Sequence, residues 1–79
     1  MRYIITRSKG TPPVEKPVGM NDIMGIGEYK SPANALKFLF PETDDRRAGC
    51  RAQGYTHVAV YAFPHGYKDD CTLQLQAPL

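Results

Sequence analysis

With 79 residues, 42% of them apolar and 23% charged, the chain has the composition of one small globular domain spanning residues 1–79. Ten basic against eight acidic residues leave a net charge of +2, too little to argue for nucleic acid by itself and the wrong sign for an acidic mimic of DNA. No run approaches the ~18 apolar residues of a membrane span, and the apolar block at residues 3–5 is far too short for a signal peptide, so a cytoplasmic protein without a membrane partner is expected.

Residues 2–7 alternate as a strand, with Tyr3, Ile5 and Arg7 on one face and Arg2, Ile4 and Thr6 on the other. Ile4 and Ile5 point opposite ways, which suits a central strand covered on both sides. Residues 8–22 read as a loop, broken by Gly10, Pro12, Pro13, Pro17 and Gly19. Residues 23–30 read as a weaker, Gly-interrupted strand with a bulge or a close backbone approach at Gly25 and Gly27, the alternative being irregular coil.

The strongest local signal follows. Ser31 is a good N-cap, because its hydroxyl can accept a bond from an orphan N–H of the first turn. Pro32 fits the first helical position, where a missing N–H costs nothing. Pro41 closes the run by pushing the residue before it out of the helical region. Leu36, Leu39 and Phe40 form an apolar stripe at i, i+3, i+4 spacing. Asn34 and Lys37 mark the wet side, and Phe38, at the edge of the apolar arc, is either the rim of the core or an exposed anchor, with the rim expected. About two and a half turns make a helix too short to stand alone, so a sheet must hold it.

Residues 42–47, Glu-Thr-Asp-Asp-Arg-Arg, read as a charged surface turn, and residues 48–54 give no clear pattern. Residues 57–63 are the clearest strand, with Val58, Val60 and Ala62 set against His57, Ala59, Tyr61 and Phe63. Residues 64–70 form a turn rich in structure breakers. Cys71, Leu73 and Leu75 then alternate with Thr72, Gln74 and Gln76 as a half-buried strand, and Pro78 ends it. The expected fold class is α+β: an antiparallel sheet of three to four strands with one short helix packed on one face.

Few residue patterns suggest chemistry. His57, His65, Cys50, Cys71, Asp69 and Asp70 lack the spacing of a metal site, and no cofactor is expected. Cys50 and Cys71 do not make a disulfide framework and read as buried or incidental thiols. Cys50, near Arg46, Arg47 and Arg51, is the better candidate for a lowered pKa, but an enzyme is not expected from a chain this small. The fragment Gly25-Ile26-Gly27 lacks the third glycine of a phosphate loop. Arg46, Arg47 and Arg51, with a base-stacking row of His57, Tyr61 and Phe63, outline a nucleic-acid reading; Asp44, Asp45, Asp69 and Asp70 oppose it. A protein partner fits the same aromatic residues at least as well, since Tyr and Arg are enriched at interface hot spots. If the helix covers Val58, Val60 and Ala62, the Tyr61–Phe63 face is left for a partner, for the loops, or for a second copy of the chain.

The whole-chain pattern, a strand from Met1-Arg2-Tyr3-Ile4-Ile5, then Tyr29-Lys30-Ser31-Pro32-Ala33-Asn34-Ala35-Leu36, then Val58-Ala59-Val60-Tyr61, resembles small proteins of bacteriophages and mobile elements. Among these it is most similar to anti-CRISPR proteins aimed at type I Cascade complexes, in particular the subtype I-C group. The resemblance implies a non-enzymatic inhibitor in the host bacterial cytoplasm that binds a Cascade subunit and blocks target DNA. Many such inhibitors mimic DNA with an acidic surface, and a chain at +2 departs from that. The version it implies here is a steric plug, with Tyr61, Phe63 and Tyr67 as anchors and Arg46, Arg47, Asp69 and Asp70 as polar contacts.

Overall fold

In the computed structural model, residues 1–13, 22–63 and 71–79 are described. They form an α+β domain in which β1 (Arg2–Ser8), β2 (Ile23–Glu28), β3 (His57–Ala62) and β4 (Thr72–Pro78) make an antiparallel sheet in the order β2-β1-β3-β4. β1 lies at the centre as its alternation predicted: Ile4 and Ile5 face opposite ways and are both buried. On one face Tyr3, Ile5, Val58, Val60 and Ala62 pack against Ala35 and Phe40 of the helical segment and against Cys50. On the other face Ile4, Ala59, Tyr61 and Cys71 form a second cluster with Ile23, Phe63 and Leu73 at its margin.

Helix α1 (Pro32–Leu39) is built as its caps predict: Ser31 is extended and its Oγ accepts the Asn34 N–H at 3.1 Å. Phe40, fully buried, closes the helix with its N–H on Leu36 O.

A second helix, α2 (Arg46–Ala52), stands where a charged turn and an unassigned stretch were expected, so one helix becomes two. The cause is local and lies in the sequence. Asp44 Oδ1 accepts the Arg46 N–H at 2.9 Å and Asp44 O accepts that of Arg47, which satisfies two donors of the first turn. At the other end Gly54 takes φ +94°, a conformation that side chains resist. Its N–H bonds Arg51 O while the Tyr55 N–H reaches Cys50 O, the paired closure of a Schellman motif.

Alternation alone also misplaces part of β4. Val60 lies opposite Leu75 but Tyr61 lies opposite Leu73, so Gln74 is an extra residue in a β-bulge. The bulge sends Leu73 to the Tyr61 face and Leu75 to the helix face, where a regular strand would have kept them together. Cys50 and Cys71, both buried thiols, belong to clusters on opposite faces of the sheet, which forbids a bridge between them.

Candidate partner-binding surface

β2 is an edge strand, and its backbone register decides what that edge presents. The Tyr29 N–H bonds Met1 O at 3.1 Å. In an antiparallel ladder the bonding direction alternates, so Tyr29, Gly27 and Gly25 turn their backbone groups towards β1. Ile26 and Glu28 therefore turn theirs outward. Among the described residues no strand pairs with that outer side.

The large apolar side chains that are exposed among the described residues lie around this edge. Phe38 is 64% exposed, Met1 54% and Ile26 46%. Phe38 was expected at the rim of the core; it lies instead one turn beyond Asn34, on the wet side of α1. Its ring stacks on Tyr29 with centroids 5.8 Å apart and planes within 5°, and Lys37 Nζ stands 5.9 Å from its centroid. The two glycines of β2 make this packing feasible. A Cβ on Gly27 would meet Tyr29 Cε2 at 2.8 Å, and one on Gly25 would meet Leu39 Cβ at 3.2 Å. What comes close to these glycines is side chain, from Leu39 of α1 and from Tyr29, rather than the backbone expected from the sequence.

The residues singled out on sequence take other places. Tyr61, expected to be an exposed anchor, is completely buried and donates its hydroxyl to Pro13 O at 2.5 Å. Burial, and then the neighbouring Cys71, push its pKa up. The face it occupies is closed by this chain. Phe63 is half-buried at the margin of the same cluster. Tyr67, Asp69 and Asp70 lie outside the described residues.

Arg46 and Arg47, expected as polar contacts, are tied into the fold. Their guanidinium carbons sit 5.0 and 4.9 Å from the centroid of the Phe40 ring. Arg46 pairs with Asp44 at 2.9 Å and donates to Leu39 O and Met24 O, each at 3.0 Å. The guanidinium of Arg46, by its side-chain bond first, holds the Asp44 carboxyl below the usual carboxylate range. Arg47 is buried and donates to Pro41 O at 3.0 Å and Phe40 O at 2.7 Å. The two arginines thereby satisfy carbonyls at the end of α1, which has no glycine stop of its own. Arg51 reaches Leu79 O at 2.6 Å.

A second polar cluster lies between β1, α2 and Tyr55. The Arg7 guanidinium covers the Tyr55 ring at 4.2 Å, and Arg7 Nε is 3.5 Å from Asp22 Oδ1. Tyr55 donates its hydroxyl to the same carboxylate at 2.8 Å. That bond, more than burial, raises the Tyr55 pKa, with Arg7 pulling the other way. Cys50 Sγ accepts from Arg7 Nη1 at 3.5 Å from a buried position. Each polar group here serves another. Among the described residues no group of three or more His, Cys, Asp or Glu side chains could hold a metal ion.

These features define a two-layer α+β domain in which, among the described residues, the outer edge of β2 has no strand partner. No protein-family model matches the chain, and no curated protein or solved structure matches it.

Proposed function

We propose that the protein is a non-enzymatic binding module that docks a partner protein along the outer edge of β2, with Phe38 and Tyr29 on the helix side and Ile26 on the other. The observation that carries this reading is the stacked Phe38–Tyr29 pair, with Phe38 64% exposed, beside an edge whose Ile26 and Glu28 backbone groups face outward. A partner strand added there gains main-chain hydrogen bonds for affinity and side-chain contacts for specificity. Large apolar groups gathered at one edge are uncommon on a surface that meets only water. Arg46 on Met24 O covers the first part of the strand, so the docking register starts at Ile26.

The partner we propose, on the resemblance to inhibitors of type I CRISPR systems, is a Cascade subunit, and the effect is a steric block of target DNA binding. The test is co-elution of the purified protein with type I surveillance complexes, followed by DNA binding of those complexes. Failure to co-elute with any of them, together with unchanged DNA binding, would sink the Cascade assignment. Phe38→Ala that binds as tightly as the parent would sink the surface.

The nucleic-acid alternative draws less support. Tyr61 is buried out of the stacking row, and Arg46, Arg47 and Arg51 are each engaged by the chain's own oxygens. It survives only if DNA or RNA binds at low salt with an affinity that falls steeply as salt is added.

A further inference from the structure

On the opposite side of α1 a groove of about 350 Å³ opens between the helix and β4. That is within the usual ~300–1,000 Å³ of small-molecule sites. Its walls are Ala33 and Leu36 from the helix and Leu75 and Ala77 from the strand, and Arg47 lines its inner end. Arg47 is only 4% exposed. A guanidinium carries five N–H donors; here Nε and Nη2 bond Pro41 O and Phe40 O, and one face lies against the Phe40 ring. Its Nη1 bonds nothing among the described residues, and Arg47 forms no ion pair there. Arg46, one residue earlier, has Asp44 as its counter-charge. The hydrogen bonds of Arg47 go only to neutral carbonyls, and Asp44 attracts it without forming an ion pair, so an anion reaching Nη1 would add the contacting counter-charge that this largely buried cation lacks.

We propose that this groove binds a medium-chain fatty acid, its carboxylate on Arg47 Nη1 and its chain between Ala33, Leu36, Leu75 and Ala77. A planar carboxylate matches the guanidinium fork, and the methyl and methylene groups of Ala33, Leu36, Leu75 and Ala77 offer an aliphatic chain apolar contact. Lys37 and Glu42 also line the groove. Lys37 adds attraction for the head and Glu42 adds repulsion, so the local balance stays positive. This assignment does not rest on the partner-docking reading, which concerns the other side of the helix.

Calorimetric or NMR titration with hexanoate, octanoate, octanol and a short peptide ending in leucine tests it. Octanoate is expected to bind, at least tenfold more tightly than octanol. Hexanoate should bind about fifteenfold more weakly than octanoate, since each buried methylene contributes about fourfold, the equivalent of ~0.8 kcal/mol. Ala33→Trp, at an exposed wall position that leaves the Arg47 bonds intact, should abolish binding without lowering the melting temperature. Glu42→Gln should tighten it. No binding of octanoate, equal binding of octanol, tighter binding of the peptide, or an Ala33→Trp variant that binds normally would each overturn the proposal.

Discussion

The two outer strands of the sheet face the same hazard, an unpaired row of backbone groups, and meet it differently. In β4 the Leu79 N–H on Thr56 O fixes the inward-bonding positions, so Pro78 lies at an outward one, where its missing N–H would have pointed to solvent. The Gln74 bulge distorts the other half of that strand, and its outward side chains are glutamines. These are devices that keep an edge from pairing. β2 has no proline and no regularly placed charge before Glu28. It carries Ile26 and two glycines, against which Leu39 and Tyr29 pack, and Tyr29 in turn stacks on the exposed Phe38. Among the described residues Arg46, through Met24 O, covers one end of it. Among the described residues the contrast separates an edge with such devices from one without them, and it is the ground on which we propose the binding surface on β2.

Prolines give the largest expected effects and the sharpest comparison. Gly27→Pro removes a ladder donor to β1 and drives a ring into Tyr29, so it should cost about 3 kcal/mol or more in a denaturant titration. Ile26→Pro, one residue away, removes an outward N–H. It should leave most of the stability in place but weaken partner binding about a hundredfold; equal damage from both would refute the assigned bonding direction. Phe38→Ala should lower partner affinity tenfold or more, about 1.4 kcal/mol, with no loss of melting temperature, because the ring is mostly outside the core.

Smaller changes probe α2, which carries Arg46 to the edge. Gly54→Ala places a side chain at φ +94° and should destabilise by about 1–2 kcal/mol. Gly49→Ala, inside the helix with open space where the methyl would sit, should stabilise by about 0.8–1 kcal/mol, some 4–8 °C in a domain of this size. The least effect is electrostatic. Because Arg46 lowers the Asp44 pKa in the folded state, this pair stabilises above the ordinary carboxylate pKa of about 3.9. That contribution is lost as pH falls through the lower folded value. Thermal melts of the parent and of Asp44→Asn should therefore converge in acid and separate, with the parent more stable, towards neutrality.

Much of this architecture is written in local signals. Ser31, Pro32 and Pro41 specify α1, because capping and proline geometry act within a few residues. The apolar alternation of residues 2–7 and 57–63 specifies β1 and β3, and for β1 even its central place, since two-sided burial requires apolar residues on both faces. The signals for α2 were also local: Asp44 before the helix and Gly54 after it. They were obscured because the helix between them is charged, short and has Cys50 and Arg47 as its buried residues, leaving no apolar stripe to announce a period. The exposure of Phe38 could equally be read from its position one turn after Asn34.

Other facts had no sequence counterpart. The Gln74 bulge sorts Leu73 and Leu75 onto different faces, and a bulge is set by pairing with β3 rather than by its own residue types. Tyr61 looks from the strand pattern like an outward aromatic, yet Pro13, 48 residues earlier in the chain, receives its hydroxyl. Arg46 and Arg47 read as surface charge until the end of α1 brings three orphan carbonyls to them. The sequence by itself determined which segments are helix or strand, because caps, breakers and side-chain periods are short-range. Tertiary structure alone decided which strands lie at the edges of the sheet, which aromatic ring is buried and which arginine lines a groove, because each depends on residues brought together from distant parts of the chain.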